Sequence, residues 1–219
     1  LRQALEGGIA HLVVIGEFNR GKSTLVNALV GRTILPMDII PTTAAIWIIE
    51  KGPLSAERVQ RDGRRTEIRL DDLSRASAGG DLAACHHVAL KVPDLAVGAG
   101  IAVIDTPGVN DINEQRSEIT YGFLGSADAV VMVLDASSPL TRSESEFLAG
   151  RVLESTLQKT VFVLNKIDRL DEDEVEEALE FCAERVVEVT GTDRPIVPLS
   201  ALAELEARGR GEPLSPALL

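Results

Sequence analysis

Residues 16–23 read Gly16-Glu17-Phe18-Asn19-Arg20-Gly21-Lys22-Ser23. They follow a short apolar run, residues 11–15, and open a stretch at 22–30 that contains no glycine or proline. The apolar run predicts a buried strand, and the stretch after the loop predicts a helix. A strand, a glycine-rich turn and a helix in that order form a phosphate-binding loop. The glycines let backbone N–H groups approach phosphate oxygens, and the helix N-terminus adds partial positive charge. In that frame Lys22 neutralises the β- and γ-phosphate oxygens, and the Ser23 hydroxyl takes Mg2+. Gly16, Asn19, Arg20, Gly21, Lys22, Ser23 and Thr24 are the candidate nucleotide contacts of this segment. The middle of the loop, Phe18, Asn19 and Arg20, is where a contribution to bond cleavage is to be sought.

The 219 residues make one large domain, or one with an appendage, and 45% hydrophobic content is enough for a sizeable core. Only 3% are aromatic, so Val, Ile, Leu and Ala fill that core, which suits buried parallel strands. A net charge of −12 opposes a phosphate backbone, so no nucleic-acid partner is expected. Two cysteines, Cys85 and Cys182, make no disulfide framework. Cys85-His86-His87 lacks further residues spaced to complete a metal site and reads as a strand-edge cluster. No apolar run is long enough to span a bilayer, and no signal peptide is recognisable. The chain opens on Leu1 and closes on a proline-containing apolar tail, which reads as a fragment of a longer protein.

Further strands are predicted at 44–50, 88–92, 101–104, 129–134, 160–164 and 195–199, with a short helix and then a loop within 71–80 and helices at 114–124, 143–157 and 172–189. Asp62-Gly63 marks a hairpin within 57–70. Alternating strands and helices predict an α/β fold: a mostly parallel central sheet with helices on both faces, and an inserted hairpin and helix region at about 51–100.

Four more motifs follow in order. Pro41-Thr42-Thr43 lies between the first helix and the next strand. One threonine, Thr43 in preference to Thr42, is expected to bind Mg2+ through its hydroxyl and the γ-phosphate through its N–H. Asp105-Thr106-Pro107-Gly108 ends a strand. Its Asp105 can reach Mg2+ through water, and the Gly108 N–H can touch the γ-phosphate. Asn165-Lys166-Ile167-Asp168 ends another. The Asp168 carboxylate accepts from N1–H and N2–H2 of guanine, whereas adenine offers no matching donors, and Lys166 can lay its stem along the base. Ser200-Ala201-Leu202 follows the last strand, where backbone N–H groups can contact guanine O6. The metal set is then Ser23, Thr43 and Asp105, and the catalytic candidates are Lys22, Ser23, Thr43, Asn19 and Arg20.

This order is similar to that of the GTPase G domain, a phosphate-loop NTPase fold, and it spans residues 16–202. Lys22 and Asp105 are 83 residues apart, more than a compact small GTPase needs. Residues 34–44 (ILPMDIIPTTA) and 17–29 (EFNRGKSTLVNAL) resemble bacterial dynamin-like proteins, kin to the mitofusin-type fusion and fission GTPases. The resemblance implies one G domain over 1–219, with GTP or GDP and Mg2+ as ligands and low nucleotide affinity. It also implies activation when two copies meet across the nucleotide, and a helical stalk and membrane-binding tip elsewhere in the chain. A cytoplasmic protein peripheral to the cytoplasmic membrane, active in membrane remodelling, would result. The rival readings are a translation-associated GTPase resembling Era or TrmE, and a GTP-binding scaffold with little hydrolysis.

Two departures matter. Val109 stands where Ras-like enzymes carry a glutamine that orients the attacking water. Phe18 and Asn19 stand where eukaryotic dynamins place a polar Gln-Ser pair. That leaves Asn19 to bond the β–γ bridging region, Arg20 to act as an arginine finger or to pair with an acid as an ordinary loop residue, and Asn110 and Asp111 to position water.

Overall fold

Three consecutive strands send alternate side chains into two separate cores. In β1 (Ala10–Ile15), Val13 and Ile15 face one core and Val14 the other. In β7 (Ala129–Asp135), Met132 and Leu134 oppose Val133, and in β8 (Thr160–Asn165), Phe162 and Leu164 oppose Val163. Period-2 strands buried on both faces need helices on both faces.

The computed structural model describes residues 8–35, 37, 46–69, 73, 85–108, 123–151 and 154–216. Among these the remaining strands are β2 (Ile46–Lys51), β3 (Ser55–Val59), β4 (Arg65–Glu67), β5 (His87–Val92), β6 (Ile101–Asp105) and β9 (Ile196–Leu199). They join one sheet in the order β4-β3-β5-β2-β6-β1-β7-β8-β9. The β6-β1-β7-β8-β9 half is parallel throughout. β2 is antiparallel to β6, and β3 pairs antiparallel with both β4 and β5. The sheet is thus mostly parallel, and three of its strands, β3 to β5, extend it beyond β2.

α1 (Lys22–Val30) packs Leu25, Val26 and Leu29 on one face together with Ala201 of α5 (Ala201–Gly209). On the other face lie Phe147 and Leu148 of α2 (Arg142–Arg151) and Cys182 and Val186 of α4 (Glu172–Thr190). A short α3 (Glu154–Leu157) lies between α2 and β8. Asp171 and Glu174 close a reciprocal capping box on α4, and the acids of its first turn face the positive end of the helix dipole.

The strands at 88–92, 101–104, 129–134, 160–164 and 195–199 and the hairpin at Asp62-Gly63 form within a residue or two of their predicted bounds. The helix predicted across 143–157 appears as α2 and α3, with 152–153 outside the described residues. α5 was not anticipated, although Ser200 caps it by accepting from the Ala203 N–H at 3.2 Å. The helix predicted within 71–80, most of 114–124, Thr42 and Thr43, and Val109, Asn110 and Asp111 lie outside the described residues, with Leu73 the exception in the first of these.

The parallel half carries the functional consequence. β1, β6, β7, β8 and β9 point the same way, so their C-terminal ends deliver Gly16, Asp105, Asp135, Asn165 and Ser200 to one edge of the sheet. Ligands of open α/β sheets sit at that edge.

Candidate nucleotide-binding site

The loop between β1 and α1 is held in shape by its carbonyl groups. Lys22 Nζ donates to Gly16 O at 2.9 Å and to Glu17 O at 2.8 Å. Lys166 Nζ donates to Asn19 O at 2.6 Å, and Asn165 Nδ2 to Arg20 O at 2.8 Å. Four loop carbonyls therefore accept from three side chains, which sets the peptide planes before any ligand arrives. The glycines are required by contact as well as by conformation. Gly16 has φ 146° and a Cβ there would lie 2.5 Å from Val133 O, while Gly21 has φ 93° and a Cβ would collide with Asn165 Nδ2.

The middle of the loop divides into three roles. Phe18 is 43% exposed. Asn19 adopts φ 62°, the left-handed region that asparagine tolerates better than most residues, and this turn presents its carbonyl to Lys166. The Arg20 guanidinium bonds Glu144 Oε1 through Nε at 2.8 Å and Glu17 Oε2 at 3.0 Å. Of the two readings open for Arg20, it is here paired with acids.

Asp105 is fully buried at the end of β6, and its Oδ2 accepts from Ser23 Oγ at 2.9 Å. Its Oδ1 is buried with no partner among the described residues. Burial pushes its carboxyl up to about 6, against the pull of the Lys22 charge and the Ser23 bond. A buried carboxylate oxygen without a donor, beside a hydroxyl, fits a hard divalent cation that takes oxygen ligands. Thr106 Oγ1 ties the same turn to Val14 O at 2.8 Å, and Gly108 packs so close to the loop that a Cβ would meet the Phe18 nitrogen at 2.9 Å.

Asn165 joins the loop to the last motif: its Oδ1 accepts from Ala201 N at 2.8 Å while its Nδ2 holds Arg20 O. The Ala201 N–H is therefore spent inside the protein, beside Leu202, which is half exposed. Lys166 sits at φ 69°, held in that left-handed conformation by Asn19 O and by Asp135 Oδ2 at 2.7 Å. Burial raises the Asp135 carboxyl, but Lys166 and the Ser137 N–H outweigh it and hold it below the usual carboxylate range. Asp168 lies exposed in the turn Ile167–Arg169, and no described residue bonds its carboxylate.

Sequence reasoning missed four residues of this site. Asn27 is buried in α1, where it accepts from Ile34 N and Leu35 N and donates to Leu35 O, fixing the start of the segment that leads toward Thr42 and Thr43. Glu17, Asp135 and Glu144 hold the loop and Lys166. Only Glu144 had a local signal: Thr141-Arg142-Ser143-Glu144 is a capping-box pattern.

A phosphate loop, an aspartate against its serine and a guanine-type turn at one edge of a parallel sheet define a phosphate-loop GTPase domain. The dynamin family model matches residues 12–167, and the chain belongs to that family, as a guanine-nucleotide-binding GTPase domain. It is 36% identical over 199 residues to a probable transmembrane GTPase FZO-like, chloroplastic, of Arabidopsis thaliana, covering 90% of this chain and 20% of that protein. It is 28% identical over 196 residues to the bacterial dynamin-like protein of Nostoc punctiforme, covering 79% of this chain and 28% of that one. The chain thus spans less than a third of either relative. A structure described as an oligomerised bacterial dynamin pair superposes over 94% of this chain and 36% of that one, with a TM-score of 0.70 at 19% identity. Aquifex aeolicus Era bound to GDP and AlF4− superposes over 97% of this chain and 61% of that one, at 0.57 and 21%. At these identities both structural likenesses are of fold alone.

Proposed function

We propose that this chain is a single G domain, with 51–100 as an insertion, that hydrolyses GTP with Mg2+ and is activated when two copies meet across the nucleotide. In the full-length protein this activity serves membrane remodelling at the cytoplasmic membrane, with the membrane contact made by other regions. The observation that carries the proposal is the convergence of Lys22, the Ser23–Asp105 pair and the Asp168 turn on one edge of the sheet.

Ser23 and Asp105, with Thr43 or Thr42 from the preceding segment, are the residues suited to hold Mg2+. Bound there, the ion would offset the negative charge on the β- and γ-phosphate oxygens as the bond to the γ-phosphoryl group breaks. Lys22, already on the loop carbonyls, turns its ammonium to the same phosphate oxygens, and the loop N–H groups orient them. The exposed Asp168 carboxylate accepts from guanine, and the stem of Lys166 lies along the base. A half-exposed Phe18 within the phosphate loop supports a second copy covering this face, since aromatics are favoured at interface cores. Among the described residues no helix is long and apolar enough to cross a membrane. The net charge of −12 supports the absence of a nucleic-acid partner.

The test is phosphate release against protein concentration. Specific activity that rises with concentration is the expected result. A flat, near-zero rate with tight GTP binding favours a scaffold, the reading that Val109 prompts. Co-purifying RNA favours a translation-linked GTPase.

A further inference from the structure

The Arg20 side chain is 14% exposed and lies between two carboxylates, Glu17 at 15% and Glu144 at 0%. Each acid has further partners. Glu144 Oε2 accepts from Thr141 N at 2.9 Å and Thr141 Oγ1 at 3.0 Å, and the Glu144 N–H reaches back to Thr141 Oγ1 at 3.4 Å. That is a capping box on α2. Glu17 accepts from Ser143 Oγ and, at 3.5 Å, from Thr141 Oγ1. The phosphate loop is therefore stapled to the first turn of α2 at two points, Glu17 and Arg20.

A helix cap alone does not need a charged side chain removed from water. Gln closes a capping box as well as Glu does. Burial outweighs the rest and holds the Glu144 carboxyl above its ordinary value; of the groups that pull it back down, the Arg20 charge is the largest, ahead of the Thr141 hydrogen bonds. The neighbouring Cys182 supplies no counter-charge: a thiol is neutral or negative, and burial and the Glu144 charge push this one up to about 12.

We propose that Glu144 is a positioning residue for the phosphate loop: through Arg20 it fixes the peptides between Glu17 and Gly21 in the shape that the nucleotide phosphates need. Arg20 then works from inside the loop, as the anchored end of a strut, and does not reach across to a facing copy. This rests on the GTPase reading above, but the loop's shape is also a property of the nucleotide-free protein.

The experiment compares wild type, Glu144→Gln, Arg20→Ala, Arg20→Lys and the double variant Glu144→Gln/Arg20→Ala in the full-length protein. The first readout is hydrogen exchange of residues 16–23 without nucleotide. The second is the split between kcat and KM for GTP. Gln keeps the helix cap and removes only the charge that holds Arg20. The expected result is at least several-fold faster loop exchange in Glu144→Gln and in Arg20→Ala. With it goes a kcat lower by roughly 10- to 100-fold at little change in KM, as for a misplaced reacting group. Arg20→Lys should recover part of that loss, and the double variant should be no worse than Arg20→Ala, because the two act as one unit. Loss of turnover in Arg20→Ala with unchanged or raised turnover in Glu144→Gln would mean a free arginine finger and overturn the proposal. Unchanged loop exchange in both single variants would overturn it too. A wild type that does not turn over GTP defeats the functional reading, and the exchange readout still decides this one.

Discussion

The two halves of the phosphate loop are held in different ways. The first half, Gly16 and Glu17, gives its carbonyls to Lys22, only five and six residues away. The second half, Asn19 and Arg20, is held by Lys166, Asn165 and Glu144, which lie 147, 145 and 124 residues away. The backbone of one half is held locally, although the Glu17 side chain also reaches Ser143 at the start of α2. The other is assembled only when β8, which pairs with β7 rather than β1, and α2 are in place. A short motif can therefore announce a loop and still specify only part of its shape.

Breaking the local half should cost most. Lys22→Ala removes two loop hydrogen bonds and the candidate phosphate charge together. GDP affinity should fall by about 100-fold or more, read by titration with a fluorescent nucleotide, since bonds to charged groups are worth about 1.5–3 kcal/mol each. Asn165→Ala attacks the distant half. It strands the Arg20 carbonyl and the buried Ala201 N–H, and should lower the stability of the nucleotide-free protein by about 2–4 kcal/mol in urea unfolding. If Asn165→Ala weakened GDP binding as much as Lys22→Ala, the two halves would not be separable.

Asp135→Asn is gentler. Lys166 keeps Asn19 O but loses its ionic partner, so GDP affinity should fall by about 5- to 10-fold. The pH sign follows from a carboxyl held below its ordinary 3.8. The stabilisation is present above that value and is lost as pH falls through the lower folded pKa. The stability gap between wild type and Asp135→Asn should therefore hold at neutral pH and close only as pH falls below the ordinary carboxylate range. The smallest change tests Asn19. If its contribution is its left-handed backbone, Asn19→Gly should keep stability within a few tenths of a kcal/mol, while Asn19→Ala loses about 1 kcal/mol. A large loss of GTP turnover in Asn19→Gly would instead assign the side chain to catalysis.

Most of the fold was legible because buried β-strands and glycine turns are local events. Residues 129–134 and 161–164 are apolar throughout, and Asp62-Gly63 supplies a turn with Gly63 at φ 84°. α5 was harder to read because its cap, Ser200, also belongs to a functional tripeptide, and its apolar face is short. The site was legible where chemistry demands a particular residue at a particular spacing: Gly16, Gly21, Lys22, Ser23, Asp105 and Asp168. It was not legible at Asp135, Glu144 and Asn27. Each has a partner on another segment; only Glu144 carries a local signal, and its capping-box pattern marks a helix start, not the ion pair with Arg20.

By itself the sequence determined the kind of protein. Glycine, lysine and serine at one spacing, and Asn-Lys-x-Asp after an apolar strand, specify phosphate and guanine recognition, because few other side chains can do that work. Only the tertiary structure decided what the middle of the loop touches. Asn19 supplies a turn whose carbonyl meets Lys166, and Arg20 meets a carboxylate buried at the start of α2. The reason is physical: an ion pair between residues 124 positions apart forms only when the strands beneath them pair, and the strength of that pair depends on the burial that the packing of α2 creates.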